Sequence, residues 1–214
     1  MTVESDANFW DRTAEKYSKS KVGDQAGYEQ TLERTRAFLK EGDNVLELGC
    51  GTGSTALLLA PRVRRYLATD LSPEMIGIAQ KKGEAAESTT AGLEFRATTA
   101  DRLAKEASKY SVILGYNYLH LVRDTAATLQ NIHGMLNSGG LFISKTPCVA
   151  EMNPLIGWVA LPIMYRFGFA PYAACFTGAG LRREIVSAGF EIIADEMHAS
   201  KGNDKRPFIV ARKK

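Results

Sequence analysis

A short apolar run followed by three alternating glycines is the feature that most constrains this chain. The run from Val45 to Leu48 predicts a buried strand, and the apolar run from Thr55 to Ala60 predicts the helix after it. Between them stand Gly49, Gly51 and Gly53. Glycine permits positive φ and lets the backbone approach a ligand where a Cβ would collide. Because amides at the start of a helix lack partners within it, such a turn can bind a polar or anionic group.

A second apolar run ends in an acid, roughly 20 residues beyond the glycine turn. The run from Tyr66 to Thr69 predicts a second buried strand, and Asp70 follows it directly. In nucleotide-binding α/β folds an acid at that place accepts hydrogen bonds from ribose hydroxyls. Asp70 is therefore a candidate ribose ligand.

The glycine spacing distinguishes two classes of cofactor. A dinucleotide fingerprint reads G-x-G-x-x-G, whereas this turn reads G-x-G-x-G with Glu47 two residues before its first glycine. The pattern E-x-G-x-G-x-G resembles motif I of the class I S-adenosylmethionine (SAM) dependent methyltransferases, in which the loop passes beneath the methionine part of SAM. That resemblance implies SAM as cofactor, S-adenosylhomocysteine (SAH) as product, and cofactor contacts from Glu47, Gly49, Cys50, Gly51 and Gly53. A tight turn without a ligand is the alternative, which the placement of Asp70 disfavours.

The residues after the second predicted strand extend the resemblance. Ser72 can cap a helix whose first residue is Pro73. The family places the residues that correspond to Leu71 and Met75 against the adenine of SAM. For Met75, a purely structural role in the core is the alternative.

An acid also follows the third predicted strand, which runs from Leu93 to Ala97. Asp101 stands where the family recognises the adenine amino group, and a carboxylate is an acceptor that suits this donor. The resemblance extends the cofactor contacts to Arg102. A helix N-cap is the alternative role of Asp101, and the two roles are compatible.

The fourth predicted strand, Tyr110 to Tyr116, leads into a stretch that resembles motif IV of the family. Ligands of open α/β sheets bind outside the carboxyl ends of the strands. Tyr116 and Asn117 are therefore expected beside the cofactor, and the residues up to His120 are expected to face the transferable methyl group. His120 is the candidate general base because its imidazole titrates near neutral pH; a structural histidine is the alternative.

The N-terminal segment carries an aromatic pattern between Asn8 and Tyr17. It is similar to the W-D-x-x-A-x-x-Y opening of many small-molecule methyltransferases, including the quinone-biosynthesis branch. The resemblance implies that residues 1–27 form a cap over cofactor and substrate, with Tyr17 near the methionine end, where it is a candidate catalytic-site residue that orients the acceptor. A helix that merely packs on the core through its aromatic residues is the alternative.

The remaining pattern completes the expected fold. A helix is expected from Tyr28 to about Lys40, and Asp124 is expected to cap a helix that ends at Leu136. Asn137 to Gly140 predicts a turn into a fifth strand, and a helix from Thr177 precedes two last strands in hairpin register. Residues 1–214 are therefore expected to form one α/β domain. Its sheet is the doubly wound, Rossmann-like sheet of the family, seven-stranded in the order 3-2-1-4-5-7-6, with an antiparallel final hairpin and helices on both faces.

An apolar stretch interrupts this pattern between the fifth strand and the last helix. Residues 155–172 are long enough to suggest a membrane span, but Arg166, Pro162 and Pro171 disfavour one. The resemblance makes residues 148–176 a variable substrate-covering insertion. Its aromatic content favours an apolar or aromatic acceptor, while a dimer surface or simple packing remains open.

Composition excludes several classes of protein. The net charge of +3 is too small to indicate a nucleic-acid partner. Cys50, Cys148 and Cys175 are far apart, which favours reduced thiols over disulfides or a metal site. The polar N-terminus does not resemble a signal peptide, so a cytoplasmic protein is expected. Whether the chain forms a homodimer stays open.

These features together predict an enzyme that transfers a methyl group from SAM to a small-molecule acceptor by in-line displacement. The acceptor atom (O, N, S or C) and the need for a base stay open. A SAM-binding protein without catalysis is one alternative. A nicotinamide-dependent oxidoreductase is a weaker one, because the glycine spacing differs and no Tyr-x-x-x-Lys pair is evident.

Overall fold

Two helices precede the sheet in the computed structural model, which describes residues 2–86, 92–152, 164–165, 168, 170–200 and 205–214. Helix α1 spans Val3–Ser18 and α2 spans Gln25–Arg36. The sequence predicted α2 from Tyr28 to about Lys40, which is wrong at both ends. The helix begins earlier because the Asp24 carboxylate accepts a hydrogen bond from the Gly27 amide and acts as its N-cap.

Seven strands form one mixed sheet, and their bounds are β1 Asn44–Leu48, β2 Arg65–Asp70, β3 Leu93–Ala97, β4 Tyr110–Tyr116, β5 Leu136–Lys145, β6 Phe190–Met197 and β7 Pro207–Lys213. The order across the sheet is β3-β2-β1-β4-β5-β7-β6. The pairs among β1 to β5 are parallel, whereas β7 runs antiparallel to both β5 and β6. The predicted fold class and strand order are confirmed.

The helices between the strands are α3 Ser54–Leu59, α4 Pro73–Ala85, α5 Ala100–Leu103, α6 Thr125–Met135, α7 Val149–Met152 and α8 Gly178–Ser187. Two of their caps confirm predictions from the sequence. The Ser72 hydroxyl accepts from the Met75 amide at 3.1 Å, and the Asp124 carboxylate accepts from the Ala127 amide at 2.9 Å. The Ser72 cap starts α4 directly after β2, and the Asp124 cap starts α6 after the short helical turn that follows β4.

Alternating side chains of the strands build one apolar core on each face of the sheet. On one face Leu46 and Ile113 pack with α6 and α8 residues such as Ile132 and Leu181. On the other face Val45 and its neighbours pack with α2 and α3. Because β1 is buried on both faces, its carboxyl end is a rigid platform for the glycine turn.

The fifth strand differs from its prediction. A turn at residues 137–140 was expected to precede it, but β5 already begins at Leu136. The pairing with β4 is irregular here. Tyr110 pairs with Leu136, whereas Val112, two residues further on, pairs with Leu141. The glycines are therefore accommodated as an irregularity inside the strand, with Gly139 at φ 73°.

The apolar stretch 155–172 lies largely outside the described residues, so its predicted role as a lid, a dimer surface or packing stays a prediction. In the part of the chain that the structure describes, no helix has both the length and the hydrophobicity needed to cross a bilayer.

Candidate active site

The glycine turn is held onto the end of β2 by Asp70. One carboxylate oxygen of Asp70 accepts from the Gly51 amide at 3.0 Å, and the other accepts from the Ser72 amide at 2.9 Å. All three turn glycines have positive φ. A Cβ added to Gly49 would lie only 2.8 Å from the Tyr118 ring, so no larger residue fits there. The turn is thus fixed both in conformation and in position.

A cavity of about 720 Å³ opens over this turn, and we call it the first cavity. It lies over the carboxyl ends of β1 to β4 and is covered by α1, which contributes Asp6, Trp10 and other residues. The Asp11 carboxylate fixes α1 to the start of α4 by accepting from the Ser72 hydroxyl at 2.5 Å. The sequence-predicted residues that line the first cavity are Tyr17, Gly49, Gly51, Asp70, Leu71, Met75, Asp101, Tyr116, Asn117 and His120.

A second cavity of about 620 Å³ lies on the other side of the glycine turn. Its walls come from α2, the linker before it, and the ends of β1, β4, β5 and β7. The sequence-predicted Glu47 and Cys50 line it rather than the first cavity. The two cavities share the walls formed by Tyr17, Gly49, Gly51, Tyr116, Asn117 and Arg206.

Two predicted cofactor ligands, Gly53 and Arg102, line neither of these cavities. Gly53 begins α3 at φ 75°, and a Cβ there would lie 2.7 Å from the Phe95 ring. Arg102 is exposed on α5. The structure therefore gives Gly53 a clear packing role, and the cofactor contacts of both residues stay predictions.

The acid at the start of α5 is oriented by a neighbouring helix. Asp101 accepts from the Asn131 side-chain amide of α6 at 2.8 Å and lines the first cavity. The N-cap of α5 is Thr99, so the N-cap role considered for Asp101 is wrong. Met75 is buried, with 2% of its surface exposed, and also lines the cavity. Its core role and its cavity role coexist.

The end of β4 has an unusual backbone at the boundary between the cavities. Asn117 has φ 49°, which is uncommon outside glycine, and its amide donates to the Lys145 carbonyl at 2.8 Å. Such conformations cluster at functional sites because the surrounding structure must over-determine them. The sequence carried no signal for this conformation beyond the tolerance of asparagine for it.

His120 lies on the short helical turn Leu119–Leu121 after β4. Burial lowers its pKa to about 4, so the imidazole is neutral at physiological pH. Its Nδ1 is buried and has no hydrogen-bond partner among the described residues. The His120 carbonyl accepts from the Ala174 amide at 2.7 Å and so ties the segment after the apolar stretch to the cavity edge.

Arg123 joins three segments around the first cavity, and no local sequence signal pointed to it. Its guanidinium donates to Asp6 of α1 at 2.8 and 3.0 Å and to the Thr2 carbonyl at 3.2 Å. It also donates to the Tyr165 hydroxyl at 2.7 Å and lies 5.3 Å from the centre of the Tyr172 ring. These contacts link α1 to Tyr165 and Tyr172 beside the cavity.

We expect Arg123→Gln to loosen α1 measurably. The ion pair with Asp6 is partly buried, so its loss should cost about 1 kcal/mol, or roughly fivefold faster amide hydrogen exchange in α1. Arg182→Gln is the matched control, because Arg182 pairs with Asp195 away from α1. Equal exchange in α1 for both variants would mean that Arg123 does not hold the helix.

Glu47 is a buried acid on β1, just before the glycine turn. With 3% of its surface exposed, it accepts from the Tyr66 hydroxyl at 2.8 Å. Burial raises its pKa to about 7, against the opposing effect of the Tyr66 hydrogen bond. The folded protein therefore binds a proton at Glu47 that the unfolded chain releases near pH 4.5.

This pKa shift predicts that Glu47→Gln stabilises the fold by an amount that depends on pH. Because the folded-state pKa lies above the unfolded one, Glu47 lowers the free energy of unfolding as pH rises from about 4.5 to 7, and by a constant amount above that. The glutamine variant keeps an acceptor for Tyr66 without this penalty. We expect its stability relative to wild type to rise by about 2–3 kcal/mol between pH 5 and 8 in urea titrations. A difference independent of pH would refute the shift.

Most of the chain matches one known protein family. Residues 23–195 match the family model described as a methyltransferase domain. The chain belongs to this methyltransferase family. The prediction of a class I SAM-dependent methyltransferase, and of SAM as the cofactor at the level of the family, is confirmed.

Known proteins similar to this methyltransferase support the same assignment. The ubiquinone biosynthesis O-methyltransferase of Methylocella silvestris is 30% identical over 134 residues, which cover 61% of this chain and 49% of that protein. The chain thus spans about half the length of this curated relative.

Two solved structures share the fold. DhpI in complex with SAH aligns with a TM-score of 0.76 and 20% identity, over 99% of this chain and 96% of that one. Magnesium protoporphyrin IX methyltransferase from Synechocystis PCC 6803 with bound SAH gives a TM-score of 0.69 and 19% identity, over 97% and 93%. At these identities the likeness establishes the fold.

Proposed function

We propose that this methyltransferase binds SAM in the first cavity and transfers its methyl group to a small-molecule acceptor. The observation that carries the proposal is the glycine turn, pinned by Asp70 at the floor of that cavity. The crevice outside the carboxyl ends of parallel strands is where ligands of such sheets bind. A volume of about 720 Å³ lies within the range of small-molecule sites.

The residues of the cavity fit the chemical groups of SAM. Gly49 and Gly51 leave a cradle without side chains for the methionine part. Asp70 can accept from the ribose hydroxyls, and Asp101 can accept from the adenine amino group. Leu71 and the other apolar residues near the end of β2 supply surface for the adenine ring. Among the described residues that line the cavity, acidic side chains outnumber positively charged ones, which suits a cationic cofactor. The acids are Asp6, Asp70, Asp101 and Asp124, and the positively charged side chains are Arg123 and Arg206.

When bound, SAM supplies an activated methyl group on a sulfonium centre for transfer to a nucleophile. The residues of the chain then have to orient the reactants and exclude water, which can supply as much as ~7–11 kcal/mol in well-oriented systems. The α1 cap serves both needs, since Tyr17 lies over the glycine turn, 3.5 Å from the position of a Cβ on Gly51. We assign Tyr17 to positioning rather than to proton transfer, because partial desolvation and the nearby Asp70 carboxylate raise its pKa further above 10.

His120 remains the candidate base for an acceptor that must lose a proton. With its pKa lowered to about 4, the imidazole is unprotonated across the neutral range, but it is a weaker base than a histidine of ordinary pKa. We expect kcat to be flat between pH 6 and 8 as far as this residue is concerned, and His120→Ala to lower kcat far more than SAH affinity. An unchanged kcat in the alanine variant would eliminate the base role.

The deciding experiment for the proposed function is calorimetric titration of the purified protein with SAH, with NAD as the parallel control. We expect SAH to bind and NAD to give no heat. Binding of NAD alone would favour an oxidoreductase and overturn the proposal. If neither ligand gives binding heat, that result would also contradict a preformed SAM site.

A further inference from the structure

The second cavity lies where the reactive end of the cofactor would point. Both cavities lie at the ends of β1 and β4, but the first extends toward the ends of β2 and β3, whereas the second extends toward the end of β5. Under the proposed function, adenine lies beside Asp101 and the methionine part beside Gly49 and Asn117. The latter two residues also line the second cavity. A molecule in the second cavity therefore lies next to the sulfonium end of the cofactor and away from its adenine.

The two cavities differ in charge. Among the described residues that line the second cavity, the bases are Lys21, Lys145 and Arg206, and the acids are Asp24 and Glu47. Of the acids, Glu47 is partly protonated at neutral pH because burial raises its pKa to about 7. Asp24 already accepts from the Gly27 and Ser200 amides. Counted over the described residues, the second cavity is thus the more positive of the two, which favours an anionic ligand.

Lys145 provides a fixed positive charge at the end of β5. The residue is buried, with 9% of its surface exposed, and its ammonium donates to the Thr31 hydroxyl at 3.1 Å and to the His198 carbonyl at 3.3 Å. His198 in turn contacts the Thr31 hydroxyl through Nδ1 at 3.2 Å. These contacts hold the ammonium in one place, so it is pre-organised for a ligand that enters the cavity.

Tyrosines form the aromatic part of the same wall. Tyr28 and Tyr116 line the second cavity, and their hydroxyls are hydrogen-bonded to Thr55 at 3.0 Å and to Thr35 at 2.5 Å. Burial raises the pKa of both tyrosines, so they stay neutral. With their hydroxyls bonded to protein, they offer ring surface, which packs well against another aromatic ring.

We propose that the second cavity binds the methyl acceptor, and that the acceptor is an aromatic acid whose carboxylate is held by Lys145. The inference rests on the proposed function, since the position of the cofactor determines which cavity receives the acceptor. It refines the expectation of an apolar or aromatic acceptor, which depended on the stretch 155–172.

The test uses the SAH-saturated protein and a matched pair of probes, 4-hydroxybenzoate and its neutral amide, 4-hydroxybenzamide. We expect the acid to bind at least tenfold more tightly than the amide in calorimetric titration. Lys145→Met should remove this preference, and Lys145→Arg should restore part of it. Lys213→Met is the control, because the Lys213 ammonium is likewise hydrogen-bonded within the protein, to the carbonyls of His133 and Leu136, but lies outside both cavities.

Three results would overturn the inference while leaving the proposed function intact, provided that the wild type binds SAH. The first is equal binding of the acid and the amide to the wild type, and the second is binding of neither. The third is a Lys145→Met variant that loses affinity for SAH but not for 5′-methylthioadenosine, which lacks the amino-acid tail. That pattern would assign Lys145 to the methionine carboxylate. Because the first two results need no variant, poor folding of Lys145→Met cannot rescue the inference.

Discussion

Replacing Asp70 with alanine is expected to weaken SAH binding by about 100-fold or more. Each hydrogen bond to a charged group contributes about 1.5–3 kcal/mol, and the ribose offers two hydroxyls to this carboxylate. The same carboxylate also holds the amides of Gly51 and Ser72, so its loss frees the glycine turn as well. Calorimetric titration with SAH measures the change in affinity. Thermal unfolding measures how far the loss of the two amide hydrogen bonds destabilises the fold.

A matched variant separates those two contributions. Asp24 also accepts from two backbone amides, those of Gly27 and Ser200, but it does not line the first cavity. We expect Asp24→Ala to lower the melting temperature while changing SAH affinity less than threefold. A similar loss of affinity in both variants would mean that Asp70 acts only through the fold. Full SAH affinity in Asp70→Ala would show that Asp70 does not contact the ribose.

The elements that local patterns specify were predictable from the sequence. Buried strands, the helix caps at Ser72 and Asp124, and the acid at the end of β2 each depend on residues close in the chain. Once the family was recognised, the strand order followed and is confirmed. The beginning of α2 was missed because Asp24, its cap, stands in a polar stretch that gives no periodic signal before Tyr28.

Contacts between distant segments were not predictable in this way. Arg123 and Asp6 lie 117 residues apart, and neither belongs to a recognisable motif. Lys145 is an instructive case, since it is the last residue of β5 and therefore lies at the carboxyl end of a parallel strand. The rule that ligands bind at such ends could have found it. The fixed position of its ammonium depends on Thr31 and His198, which only the folded chain brings together.

Glu47 and Gly53 show where a motif and its geometry differ. The motif groups them with Gly49 and Gly51, yet Glu47 faces the second cavity and Gly53 faces neither. A sequence motif records which residues a local structure needs, and that need includes packing as well as ligand contacts. For Gly53 the structure supplies a sufficient packing reason, because the side chains of Phe95 and Ala79 fill the space beside its Cα.

Gly53→Ala is accordingly expected to destabilise the fold strongly while leaving the cofactor site intact. A residue with a Cβ at φ 75° costs about 1–2 kcal/mol, and the overlap with Phe95 and Ala79 adds about 1–3 kcal/mol. For a chain of this size the total corresponds to a melting temperature lower by about 4–20 °C. Gly139→Ala is the control, since Gly139 has φ 73° but nothing within 4 Å of its Cβ position.

The difference between these two glycine variants isolates the packing contribution, because both carry the same backbone penalty. We expect Gly139→Ala to lower the melting temperature by only about 2–8 °C. Below their melting temperatures both variants should bind SAH within about threefold of wild type. A Gly53→Ala protein that melts like the Gly139→Ala control but binds SAH more than tenfold more weakly would contradict the packing role. Gly53 would then be a cofactor ligand, as the motif implies, and the turn would have to change shape when the cofactor binds.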